Sequence, residues 1–248
     1  MKLRLVCLSC FFLYIGSPVI TKAQNQDTID YKHKVAAFVI PTVFIGYGLV
    51  SLAGKNAIRD LDLTTRDELQ EDHPLFAAHA DDYAQFAPAL AVYGLHLAGV
   101  RGKNNLADAT GIYLLSTAIM GGTVSGLKSW THRLRPNNSG SNSFPSGHTA
   151  NAFAAAEFLN QEYKEVSRWY GYAGYTVATA TGVLRMYNNK HWLSDVVAGA
   201  GFGILSTKLA YIFYPKLKRL VLGKGEQHYT LVPSYQQHSF GLSFNGTF

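Results

Sequence analysis

The chain has 248 residues and a net charge of +6, and only 15% of it is Asp, Glu, Lys or Arg while 48% is hydrophobic, against about 25% charged in an ordinary soluble domain. That shortage of charge points to a membrane protein or an unusually apolar helical bundle, and the length fits one domain. The mean hydropathy of +0.01 is low for a chain made wholly of spans, and the basic residues sit in short clusters between apolar segments, a placement that suits a membrane surface or a phosphorylated partner and argues against nucleic acid.

Lys2 and Arg4 precede the mostly apolar residues 5–20, and Thr21-Lys22-Ala23 offers a small-residue cleavage point before Gln24. This reads as a secretory signal peptide over residues 1–23, with an uncleaved anchor helix as the alternative. Cys7 and Cys10 both fall inside it. The cleaved protein therefore has no cysteine for a disulfide, a thiolate nucleophile or a metal ligand.

Residues 24–83 comprise an apolar helix at 35–54, with Pro41 near its start, and a polar connection at 56–82 that holds a short amphipathic helix. Apolar helices follow at 84–100 and 106–127, the second rich in Gly, Ala, Ser and Thr as in tightly packed membrane helices. Further helices are predicted at 148–163, 170–186 and 194–214. The one at 148–163 carries Asn151, Glu157, Asn160 and Gln161 and falls short of the roughly 20 apolar residues of a span. In the tail, 215–248, Phe240, Leu242, Phe244 and Phe248 recur at even spacing, which is strand periodicity, and residues 229–232 can pair with them. The expected fold is all-α: a membrane-embedded bundle of about six helices with a short β tail.

Arg101 with Lys103, Lys164 with Arg168, and Lys216, Lys218, Arg219 and Lys224 lie at alternate helix junctions. The positive-inside rule puts these three clusters in the cytoplasm. The chemistry described next then faces the periplasm. A cleaved signal conflicts with this, because counting spans from residue 35 puts the same loops in the cytoplasm. Three resolutions stay open: 35–54 does not cross fully, the signal is not cleaved, or the helices form a periplasmic bundle.

Three ordered motifs carry the chemistry. Phosphate esters repel nucleophiles, so fixed positive charge must neutralise their oxygens. Lys128, six residues, then Arg135-Pro136 supplies two cations, and Arg185 a third; arginine suits two-pronged contact with phosphate oxygens. Taken singly, these are also ordinary membrane-edge cations. Pro145-Ser146-Gly147-His148 reads as a turn entering a helix, whose free N–H groups point at an anion. There Gly147 lets the backbone approach, Ser146 adds a hydroxyl and His148 can donate a proton to a leaving oxygen. Its bland alternative is a simple turn with a surface histidine. Arg185, five residues, His191, three residues, Asp195 puts an imidazole and a carboxylate on one helical face. The carboxylate can fix the ring tautomer, and the other ring nitrogen can attack phosphorus. A structural His–Asp pair is the alternative. No His, Cys and carboxylate cluster completes a metal ligand set. His96 reads as a satisfied core residue and His132 as a solvated loop residue.

The three motifs resemble the signatures of the type 2 phosphatidic acid phosphatase superfamily, which includes membrane lipid phosphatases, bacterial class A acid phosphatases and vanadium haloperoxidases. The resemblance covers about residues 84–214 and implies an all-α bundle. It also implies His191 as nucleophile, Asp195 as its orienter and His148 as general acid. Lys128, Arg135, Ser146, Gly147 and Arg185 would bind the phosphoryl group, with no metal and no cofactor. One departure is Leu184 before Arg185, where many members have Ser. The implied substrate is a phosphorylated membrane lipid: lipid A, undecaprenyl diphosphate, phosphatidylglycerol phosphate or phosphatidic acid. The implied setting is the envelope of a Gram-negative bacterium, in the inner membrane with a periplasm-facing site. A soluble periplasmic acid phosphatase and a vanadate-dependent haloperoxidase are the rival readings. Headgroup contacts are expected from 56–82 or 137–143, and oligomeric state is not legible.

Overall fold

Asn56 has an extended backbone and its side-chain oxygen accepts from the Ile58 and Arg59 amides, so a helix begins at the very start of the polar connection. A computed structural model describes residues 31–222 and the strands at 229–236 and 239–246, with side chains described for 36–221. The expected signal segment, with Cys7 and Cys10, lies outside the described residues.

The helices are α1 (Tyr31–Val50), α2 (Ala57–Asp72), α3 (Ala80–Ala84), α4 (Ala87–Leu97), α5 (Leu106–Thr131), α6 (Gly147–Tyr163), α7 (Arg168–Tyr187) and α8 (Leu193–Leu222). The six apolar helices expected from the sequence are all present, α2 is the amphipathic helix expected in the polar connection, and α3 is added after it. The tail folds as an antiparallel hairpin, β1 (Tyr229–Gln236) with β2 (Ser239–Gly246), in which Leu231 pairs with Phe244 and Tyr235 with Phe240.

Helix α6 is the core. Ala150, Ala152, Ala154, Ala155, Ala156 and Phe158 are fully buried, because α7, α8, α4 and α5 pack around it. Helix α8 packs on α6, α1 and α5, and its glycines set those approaches. A Cβ on Gly199 would lie 2.6 Å from the Ser146 carbonyl oxygen, and one on Gly201 would lie 2.7 Å from the Pro41 carbonyl oxygen. Backbones this close leave no room for any side chain.

Helices α5 and α8 are long and apolar enough to cross a membrane. They differ in burial: 61% of the apolar window of α8 is inside the protein, but only 22% of that of α5. The apolar surface of α5 therefore needs a partner other than the described helices. The expected tight packing of the small residues of α5 holds only in part. Gly111 lies against the Tyr214 ring, whereas Gly121, Gly122 and Gly126 face open space. Helix α4, at 11 residues, is half the length of a span.

Candidate active site

The C-terminal end of α5, the loop after it and the N-termini of α6 and α8 meet at one end of the bundle. The Ser146 amide donates to the Asp195 carbonyl at 3.0 Å, tying the second motif to the third. A Cβ on Gly147 would lie 3.9 Å from Lys128 Cε, so the first motif reaches the second as well. Lys128 Nζ donates to the Asn142 carbonyl, and Arg135 Nε donates to the Asn142 side chain at 2.9 Å. Both cations are thus fastened to the loop that leads into the Pro-Ser-Gly turn.

His191 is 3% exposed. Its Nδ1 lies 3.7 Å from Asp195 Oδ2, beyond hydrogen-bond length, and has no partner. Burial pushes its pKa down to about 4, against the opposing pull of Asp195, and Lys128 and Arg185 push the same way. The ring is therefore neutral at pH 7, with Nδ1 on the Asp195 side and Nε2 on the far side.

Asp195 is fully engaged elsewhere. Oδ1 accepts from Arg133 at 2.8 Å, and Oδ2 accepts from the Ser143 hydroxyl at 2.5 Å and the Trp192 amide at 3.0 Å. Arg133 also donates to Asp62 of α2 at 2.6 Å and to Ser194 and Ser51. Asp62, 1% exposed, accepts from the Ser194 amide and hydroxyl at the start of α8. A buried chain Asp62–Arg133–Asp195 thus stands beneath His191.

His148 is partly exposed, and its Nε2 lies 2.8 Å from Asp82 Oδ1. Burial and Arg185 push its pKa down while Asp82 pulls it up, and the net shift is downward. Asp82 is held below the usual carboxylate range, first by its bond to His148. Arg185 donates to Asp81 Oδ2 at 2.5 Å and lies 3.9 Å from Asp82, yet its buried Nε has no partner. Ser146 is fully buried, and its hydroxyl is shared with Thr149 at 2.8 Å.

The sequence shows no cluster of metal-ligand type, but α3 creates one: Asp81, Asp82 and His148 offer ligand atoms within 4.8 Å of one another. The Arg185 guanidinium already occupies the Asp81 carboxylate, so the group is an ion-pair cluster. Asp62, Asp81, Asp82, Arg133 and Ser143 are the site residues that sequence reasoning missed. His96 is satisfied as expected, between the Val92 carbonyl, the Tyr163 hydroxyl and the Asn104 carbonyl.

Among the described residues, four buried side-chain nitrogen or oxygen atoms lack a partner, and His191 Nδ1 and Arg185 Nε are two of them. Orphaned donors and acceptors of this kind in a folded protein call for an explanation. Here both lie at the one place where the three motifs converge.

Residues 109–219 match the family model described as the PAP2 superfamily. The chain is similar to the PAP2 superfamily over this stretch, which is somewhat under half of its length. It is 42% identical over 142 residues to a lipid A 1-phosphatase of Porphyromonas gingivalis, a match spanning 55% of this chain and 31% of that protein. It is 35% identical over 106 residues to phosphatidylglycerophosphatase B of Bacillus subtilis, spanning 38% of this chain and 52% of that protein. The matched stretches thus cover about a third and about half of those relatives. Two solved structures are similar to this chain. One is a transmembrane PAP2 type phosphatidylglycerolphosphate phosphatase from Bacillus subtilis (22% identity, TM-score 0.49, covering 73% of this chain and 98% of that one). The other is Aquifex aeolicus LpxE (19% identity, TM-score 0.44, covering 59% and 93%). All three motifs fall inside the matched residues 109–219, whereas Asp62, Asp81 and Asp82 lie upstream of them.

Proposed function

We propose that this protein is a metal-independent phosphatase of a phosphorylated membrane lipid, acting through a phospho-histidine on His191. The observation that carries the reading is a neutral, buried imidazole with a free Nδ1 beside a carboxylate, within the field of Lys128 and Arg185. The names of the relatives favour lipid A and phosphatidylglycerol phosphate over undecaprenyl diphosphate and phosphatidic acid.

In the first step His191 Nε2 attacks phosphorus. The N–P bond forms, the bond to the leaving oxygen breaks, and His148 passes its proton to that oxygen. Asp195 closes on Nδ1–H and stabilises the cationic ring. In the second step water attacks phosphorus, its proton goes to His148, and the N–P bond breaks. The incoming phosphate favours the proton on His148, as Asp82 already does. Lys128, Arg135 and Arg185 hold the equatorial oxygens, and the idle Arg185 Nε is a donor aimed for one of them. Gly147 and the α6 N-terminus supply backbone amides.

We place the site on the periplasmic face of the inner membrane of a Gram-negative bacterium, supported by the basic clusters at the opposite helix junctions. The exposed apolar face of α5 favours a membrane lipid over a soluble ester. The test is phosphate release by detergent-purified protein, with chelator, on matched lipid and soluble esters. Release confined to the lipids is expected. Equal release from soluble esters would make the protein a general acid phosphatase.

A further inference from the structure

A cavity of about 690 Å3 lies between α2 and the loop that follows α5. Its polar wall holds four guanidinium groups, Arg59 and Arg66 from α2 and Arg133 and Arg135 from the loop, against one carboxylate, Asp62. Its apolar wall includes Trp130 and Trp192. Arg133 is consumed by Asp62 and Asp195. Arg66 meets only the exposed Asp67, at 3.0 Å, and its Nε is buried and without a partner. Arg135 is assigned to the reacting phosphate, which leaves Arg59, with no carboxylate at ion-pair distance among the described residues, as the second uncommitted cation beside Arg66. The cavity therefore keeps an excess of positive charge beside indole faces, which is a surface for an anionic group on an amphiphile.

This cavity is separate from the proposed reaction centre yet shares a wall with it. Neither His191, His148, Lys128 nor Arg185 lines it. Arg135 belongs to the first motif, Trp192 follows His191 in the chain, and Arg133 touches Asp195. A molecule with its reacting phosphate at His191 is thus within reach of the cavity.

We propose that the cavity is a second anion subsite, holding a second phosphate or comparable anionic group of the same lipid while the first phosphate lies at His191. The inference rests on the lipid phosphatase reading and gives it a finer substrate class: a lipid with two separated anionic groups on its headgroup.

The test uses the full chain in detergent carrying His191→Ala, so that nothing turns over, with tryptophan fluorescence as the readout from Trp130 and Trp192. The probes are a synthetic glycolipid with two phosphates, its one-phosphate counterpart, and inorganic phosphate. Arg59→Gln with Arg66→Gln is expected to weaken the two-phosphate lipid about tenfold or more and to reduce its preference over the one-phosphate lipid by the same factor. Both residues lie on the accessible face of α2, and unchanged circular dichroism and elution volume report the fold. Equal weakening of both lipids, or of neither, overturns the proposal. So does saturable binding of inorganic phosphate that the double variant abolishes while its lipid preference persists, since that assigns the cavity to a free anion. Wild-type protein that binds with this preference but releases no phosphate would contradict the activity and leave the subsite standing.

Discussion

Arg133 is two residues from the motif arginine, Arg135, and does different work. Its guanidinium is buried between two carboxylates and carries no surplus charge for a phosphate. It fixes Asp195 instead, and through Asp62 it ties α2 to the start of α8. His191 sits above this chain in neutral form, and that has a consequence for stability. Its folded pKa of about 4 is below the roughly 6.5 of an unfolded histidine. Between these values the unfolded chain binds a proton that the folded site refuses. Stability therefore falls as pH drops through 6.5 and levels off below 4. Between pH 7 and 5 the wild type should lose about 2 kcal/mol more than His191→Gln. Thermal or denaturant unfolding in detergent at the two pH values measures this, and identical losses would mean that His191 is protonated in the folded site.

Helix α8 brings the third motif to the second because Gly199 has no side chain. Gly199→Ala puts a methyl 2.6 Å from the Ser146 carbonyl oxygen, and this is backbone that cannot swing aside. The variant should lose about 1–3 kcal/mol, and its phosphate release should fall further than that of Gly121→Ala, which meets nothing within 4 Å. Equal activity in the two variants would show that the α6–α8 approach does not hold the site. At this scale the apolar helices were readable in the sequence, because long apolar runs and the Pro-Ser-Gly turn mark their own ends. The contribution of α2 and α3 was not. Asp62, Asp81 and Asp82 look like solvated charges in a polar connection. Only the folding of that connection back over α7 and α8 buries Asp62 and Asp81 against arginines more than 70 residues away. The motif residues were legible because their spacing is local. Their partners were not, because ion pairs made across the fold leave no periodic trace.

At the scale of the molecule, the bundle holds a charged, polar site at one end and an apolar flank along α5. The charge that a phosphate ester needs is concentrated where three helix ends meet, and the rest of the helical surface is free to face lipid. The hairpin at the C-terminus stands outside this division of labour, and nothing in its pairing connects it to the site. The proposed route requires His191 to become covalently phosphorylated. It is tested most directly by rapid-quench labelling with a substrate lipid carrying radioactive phosphate, in wild type, His191→Ala and His148→Ala. An acid-labile, alkali-stable phosphoenzyme is expected in the wild type and none in His191→Ala. Labelling that survives His191→Ala, or turnover that persists without it, would rule out a phospho-histidine at this position.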